Sequence, residues 1–383
     1  MSISIPNGIS IPDVHRRAII VDGHCDTPYR LFRHNVHLDE HDAEAQADLK
    51  SLQKSGITAS FFASYVPPAY ANRGAANFAR KLCDLIQDEA ARRSDVVSFV
   101  TDSAGIRAAK RDGKLALMIG VEGGHAIEDS LDILRELYDR GSRYMTLTHV
   151  NTNNWCDSSG DTERHGGLTD FGRTVVRTMN DIGMIVDVSH ISDKAFAHVI
   201  ETSRAPVVAT HSSCRALCRH PRNMTDDMLR ALAKNGGVCM INFFSAFISD
   251  AVAEVTMHAA KRDRMEKPPM EGGTEEMPND RVDWDLFLQW FRSLGSPEAT
   301  LDQVADHIFH AAEIAGIDHV GIGSDFDGVP ALPTGLTDAA MLPSLTARLL
   351  ERGMSEGDAE KVLGGNFMRV FEEVERASQP RSL

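Results

Sequence analysis

Long hydrophobic runs are missing from this 383-residue chain. None approaches the roughly 20 consecutive apolar residues of a membrane-spanning helix, which argues against a helical membrane protein. Surplus positive charge is missing too. Lys and Arg number 40 against 55 Asp and Glu, a formal net charge of −15, so neither a non-specific nucleic-acid binder nor a basic membrane-surface protein is expected. The opening MSISIPNGIS has no charged-then-apolar leader pattern, and the closing ERASQPRSL has no hydrophobic tail for a lipid anchor. A soluble, cytoplasmic protein is the expectation. Cysteine is sparse. Cys25, Cys83, Cys156, Cys214, Cys218 and Cys239 are scattered, unlike the dense framework of a small secreted domain. Cys214 and Cys218 have no second Cys or His pair at finger spacing, so free, reduced thiols are expected.

What is present is a rhythm. Short β-branched runs at Ala18–Gly23, Ile57–Ser64, Leu115–Val121, Arg143–His149, Met184–Ser189, Pro206–His211, Gly237–Phe243 and His319–Gly323 read as strands. Helical patterns such as AANFARKLCDLIQDEAARR, SLDILRELYDRG and LTDFGRTVVRTMNDIG lie between them. Gly56, Gly141, Gly183 and Gly236 stand where helix C-caps are needed. Eight strands alternating with helices predict one (β/α)8 barrel over 1–383. A doubly wound sheet is the runner-up, but no GxGxxG follows the first strand. One stretch breaks the rhythm. Ser249–Arg281, rich in charge, Met, Pro and Gly, precedes a helical pattern with Trp284 and Trp290. Residues 249–298 therefore read as an excursion before the last strand, with a lid or an oligomer contact as its possible roles. The last helix, near Glu360–Ala377, is expected to pack on the outside of the barrel.

Functional residues of such a barrel sit at the C-terminal ends of its strands. There the sequence places His24 and Asp26, Glu122, His149, His190, His211 and Asp325. One such ending is uninformative; six of eight strands ending in His, Asp or Glu are not. A cluster of that kind is costly unless it is hydrogen-bonded, wet or holding metal. His24 and Asp26, two apart on a strand, would point the same way and chelate one ion, with Cys25 turned to the opposite face. Imidazole and carboxylate suit zinc, with manganese, iron or cobalt as alternatives. His24, Asp26, Glu122, His190 and His211 are too many for one open tetrahedral ion. A pair of ions bridged by Glu122 uses all five. His125, His165 and His220 fall in mouth loops and read as supporting or exposed.

The motifs GHCDTP, GVEGGH, LTHVNTN, DVSH, THSS, RNMTDD and GSDFDGV, in this order, resemble the renal or membrane dipeptidase family, zinc metallopeptidases of the amidohydrolase superfamily. The likeness runs from about Ile19 to Glu375. It implies a barrel with two Zn2+, one held by His24, Asp26 and Glu122 and the other by Glu122, His190 and His211. It further implies cleavage of dipeptides with a free C-terminal carboxylate, tolerance of a D-residue at that end, and a homodimer. A hydroxide bridging the metals would attack the peptide carbonyl. His149 would stabilise the developing oxyanion and contact the substrate, Arg222 would hold the terminal carboxylate, and Asp325 would move the proton to the leaving amine. Tyr29 would line the pocket rim. Asp327 is the rival to Asp325, since alternation puts both on one face. Cys25 and Tyr29 depart from the Asn and Trp that the family often carries, which opens the choice of substrate. The alternative is another amidohydrolase reaction on the same metal centre, such as hydrolysis of an N-acyl amino acid or a lactone. A catalytically silent scaffold would be expected to lack a ligand or the proton-handling Asp, and neither is lacking.

Overall fold

Parallel strands spaced by helices close into a ring in the computed structural model, which describes residues 11–42, 44–71, 73–262, 280–295 and 297–378. The strands are β1 (Val21–Cys25), β2 (Ala59–Tyr65), β3 (Val97–Phe99), β4 (Leu115–Glu122), β5 (Ser142–Thr146), β6 (Ile185–Asp187), β7 (Val208–Ala209), β8 (Val238–Ile241) and β9 (Val320–Ile322). β1 pairs with both β2 and β9, and β2 pairs directly with β4, from Ala59 opposite Ala116 to Tyr65 opposite Glu122. Eight strands thus form a closed (β/α)8 barrel. β3 stands apart from it, pairing with the first residues of β4 before β5 takes over that edge from Ile119 onward. Three residues with only one fully buried among them leave too short a pattern to read from sequence.

The helices between strands start where side chains can cap them. Thr169, Ser192 and Thr225 each accept a backbone N–H of the first turn, satisfying a donor that the helix leaves unpaired. The caps at Gly56 and Gly183 adopt φ of 73° and 80°, a region that glycine enters without strain.

Two expectations change. The last helix, Asn366–Ser378, does not lie on the outside of the barrel. Phe367, Val370, Phe371 and Val374 form one apolar stripe and join the cluster of inward-facing Val21, Phe61, Met118, Tyr144 and Met240. Phe61 meets Phe367 and Phe371 edge-on at 5.3 and 6.5 Å. The helix therefore plugs the end of the barrel opposite the strand C-termini. The second change concerns strand lengths: β5 ends at Thr146 and β9 at Ile322, so His149 and Asp325 stand on loops rather than strands.

Between β8 and β9 come helices Ser245–Ile248, Asp250–Arg262, Asp280–Ser293 and Leu301–Ala315. Of the excursion expected at 249–298, residues 263–279 and 296 lie outside the described residues. Among the described residues, no helix is long and apolar enough to cross a membrane.

Candidate metal centre and substrate cleft

At the C-terminal mouth of the barrel, Glu122 is the hub. His24 Nε2 lies 3.4 Å from its Oε2, and His190 and His211 Nε2 lie 3.1 and 3.4 Å from its Oε1. Asp26 Oδ2 is 3.4 Å from His24 Nε2. His149 approaches the same Oε1 at 3.8 Å. The five residues expected to bind metal are together, with His149 beside them.

His24 faces the mouth for a reason that alternation does not supply. The register of β1 against β2 shifts between Asp22 and Cys25, so Val21 packs inside the barrel while Cys25 packs outside it. Such irregularities re-aim side chains. Asp26 lies beyond the strand, at the start of helix Thr27–His34, and reaches the cluster from there.

The arrangement fits a cation. His24 Nε2, His211 Nε2 and Asp26 Oδ1 are buried and have no hydrogen-bond partner, an expensive state unless an ion supplies one. The donors group as His24, Glu122 and His211, as Glu122, His149 and His190, and as His24, Asp26 and Asp325, with the ligand atoms of each group within 4.8 Å of one another. Burial, reinforced by the neighbouring Glu122 carboxylate, pushes the Asp26 carboxyl up to about 8. Two crowded carboxylates out of water call for positive charge between them. Burial also favours neutral imidazole at His149, pushed down to about 4, and lowers His190 and His211. Neutral imidazole is the form that binds metal.

A second ring of residues aims the ligands. The Thr210 hydroxyl donates its single hydrogen to Asp187 Oδ2 at 2.7 Å, leaving its oxygen to accept from His211 Nδ1 at 2.8 Å. That choice of tautomer turns the lone pair of His211 Nε2 toward Glu122. Asp187 is fully buried and also accepts from Thr146 Oγ1 and the amides of Ser189 and Thr210. On the other side, His24 Nδ1 meets the Tyr144 hydroxyl at 2.7 Å. Tyr144 lies against Gly120, where an added Cβ would come within 1.9 Å of its ring.

Asp325 and Asp327 part company. Both adopt left-handed φ, 65° and 64°, so strand alternation no longer governs them. Asp325 stays at the mouth, where Asn242 Nδ2 donates to its Oδ2 at 2.7 Å. Asp327 is occupied elsewhere: Arg30 Nε donates at 3.1 Å, Thr27 Oγ1 at 2.6 Å and the Gln46 amide at 2.7 Å. Gly328 is the price of the turn, because a Cβ there would come 2.0 Å from Asp26 Oδ2.

Arg222 is buried yet has no carboxylate within ion-pair reach among the described residues. Its Nη2 donates to the His211 carbonyl at 3.1 Å and its Nη1 to Ser212 Oγ at 3.4 Å, while Nε is unpartnered. Burial pushes the guanidinium down to about 10, still charged at neutral pH. Asp26, Tyr29, Glu122, His149, Arg222 and Asp325 line one cleft, to which Phe244, Phe247 and Phe287 also contribute.

The three mouth histidines support the site from outside it. His220 Nδ1 accepts from the Arg222 amide at 3.2 Å, His165 Nε2 meets the Asn153 carbonyl at 2.9 Å, and His125 lines a neighbouring polar cavity that shares His149. Sequence reading missed Tyr144, Asp187, Thr210 and Asn242. Thr210 stands beside His211 and could have been suspected; Tyr144 and Asn242 carry no such signal.

The chain resembles known proteins along nearly its whole length. The family model for membrane dipeptidase, peptidase family M19, matches residues 10–383. Dipeptidase verJ of Clonostachys rogersoniana is 34% identical over 377 residues, covering 94% of this chain and 85% of its own. The crystal structure of the probable dipeptidase PvdM from Pseudomonas aeruginosa superposes with a TM-score of 0.80 at 27% identity, covering 95% of this chain and 97% of that one. The dipeptidase AC, a metallo peptidase, superposes with a TM-score of 0.75 at 26% identity over 93% of this chain and 98% of that one.

Proposed function

Because this chain belongs to the membrane dipeptidase family, peptidase family M19, and is a metallo-dipeptidase, we propose that it hydrolyses dipeptides at a centre of two Zn2+. His24, Asp26 and Glu122 would hold one ion, and Glu122, His190 and His211 the other. The observation that carries the reading is the convergence of His24, His190 and His211 on the single carboxylate of Glu122, with buried ligand atoms left unpartnered. Bound zinc supplies Lewis acidity and makes hydroxide available near neutral pH.

The remaining steps belong to side chains of this chain. Arg222 binds the free C-terminal carboxylate of the substrate through a charged fork otherwise engaged only with neutral oxygens. His149, held neutral by burial, can present an N–H to the carbonyl oxygen as negative charge builds there. Asp325, its carboxylate steadied by Asn242, takes a proton from the attacking water and passes it to the departing amine. Asp327, engaged by Arg30, Thr27 and Gln46, is left out of proton transfer. Tyr29 lines the cleft without a chemical step. Tolerance of a D-residue at the C-terminal position follows from the family resemblance of the motifs. The six buried, unpaired thiols fit a reducing compartment and support a cytoplasmic location.

The test is a panel of L–L, L–D, D–L and D–D dipeptides with their amides, tripeptides and N-acyl amino acids, assayed with zinc-loaded protein. Hydrolysis of L–L and L–D dipeptides, with amides and tripeptides poor, is expected. Elemental analysis of protein purified without chelators should give about two metals per chain. Preference for N-acyl amino acids, or full activity at one metal per chain, would overturn the corresponding part.

A further inference from the structure

The cleft is chemically mixed. Carboxylates of Asp26, Glu122 and Asp325 line it, and so do Arg222 and the rings of Phe244, Phe247 and Phe287. Its guanidinium carbon lies 5.2 Å from the centroid of Phe247. Phe247 meets Phe244 edge-on at 4.8 Å, and Phe244 in turn packs 5.8 Å from Phe291. Phe291 and Phe287 both belong to helix Asp280–Ser293, and Phe287 lines the cleft beside Phe244 and Phe247. The helix is thus docked through Phe291 and turns Phe287 toward the substrate space.

We infer that Phe244, Phe247 and Phe287 form the pocket for the side chain of the substrate's C-terminal residue, and that Phe287 is its specificity-determining residue. The inference rests on the reading that Arg222 holds the terminal carboxylate. Carboxylate and side chain branch from the same Cα, so a carboxylate on Arg222 brings its neighbouring side chain to the aromatic wall. Such a wall favours branched aliphatic and aromatic side chains, because their burial removes apolar surface from water. It disfavours acidic ones, which would lose hydration there in a cleft that already holds the carboxylates of Asp26, Glu122 and Asp325. The substrate class is therefore dipeptides with a large apolar C-terminal residue. A pocket of this kind separates large from minimal side chains by on the order of 10–100-fold in kcat/KM.

The experiment measures kcat/KM for Ala-Gly, Ala-Leu, Ala-Phe and Ala-Asp with zinc-loaded enzyme, its Phe287→Ala variant and its Phe287→Lys variant, with Tm recorded for each. The parent should prefer Ala-Phe and Ala-Leu over Ala-Gly by on the order of 10–100-fold. In Phe287→Ala that ratio should collapse toward unity, and in Phe287→Lys the ratio of Ala-Asp to Ala-Phe should rise at least about tenfold, a gain that impaired folding cannot produce. A parent ratio near unity overturns the inference while leaving the dipeptidase reading intact. So does a ratio that survives in Phe287→Ala, or a uniform loss on every substrate with a lowered Tm. Failure of the parent to cleave any dipeptide overturns both.

Discussion

Asp325 and Arg222 divide the work that single side chains can do in this cleft. Replacing Asp325 by Asn keeps its shape and its contact with Asn242, which can still donate to an amide oxygen, but removes the base. Stopped assays should show kcat reduced by roughly 10²–10⁴, with metal content near that of the parent by elemental analysis. Loss of a metal, with activity restored by excess zinc, would make Asp325 a ligand instead. Arg222 acts earlier. Arg222→Met should lower kcat/KM for a dipeptide by on the order of 10²–10³, as expected for a lost charge-assisted contact, while barely changing the residual rate on the corresponding amide. Equal loss on both would show that the guanidinium holds the loop rather than the substrate. At this scale the residue types were readable in sequence: six strand-like runs ending in His, Asp or Glu point together to a metal site, although one alone would not. Their partners were not readable, since Asn242 lies 83 positions from Asp325.

Elements decide how these residues are aimed. The seam between β6 and β7 brings Asp187 under Thr210, and Thr210 under His211. Removing that hydroxyl with Thr210→Val leaves Asp187 its other donors but frees His211 to choose the wrong tautomer. Metal affinity measured by chelator competition should fall about 10–100-fold, the cost usual for losing an outer partner of a histidine ligand. An unchanged affinity would mean that packing alone holds the ring. Local pattern rules worked for the long strands and helices and failed at the strand ends. The irregularity in β1 and the left-handed turns at Asp325 and Asp327 override alternation, because their backbone geometry is set by the loops they enter. The plugging helix failed for a related reason. Its stripe of Phe367, Val370, Phe371 and Val374 announces a buried face, but a stripe does not say which surface will cover it.

Across the whole molecule, two buried histidines far apart couple folding to pH. His15 is clamped between Thr346 Oγ1 and the Ser55 carbonyl at 2.7 Å each; His307 receives the Cys214 amide and meets the Ile248 carbonyl, both at 3.0 Å. Burial pushes both from 6.5 down to about 4. The unfolded chain therefore binds more protons than the native one between about pH 4 and 6.5, so stability rises with pH across that window. It is fully present above about 6.5 and lost as pH falls toward 4, by up to about 3 kcal/mol for each histidine. Denaturant unfolding at pH 7 and pH 5 should show this, and His307→Gln should shrink the difference by the share of one histidine. A variant whose slope matches the parent's would place the pH dependence elsewhere.

The chain's own pattern was enough to establish a (β/α)8 barrel, its polar mouth and the candidate ligands, because a strand or helix repeats its hydrophobic period locally and a ligand's chemistry is carried by its residue type. Only the folded molecule decided that Asp327 turns away to Arg30, that Thr210 and Tyr144 aim the histidines, and that Phe287 reaches the cleft. Each of these joins residues distant along the chain, from the 23 positions that separate Asp187 from Thr210 to the 297 that separate Arg30 from Asp327. Such pairings are fixed by closure of the ring, and no local periodicity carries that information.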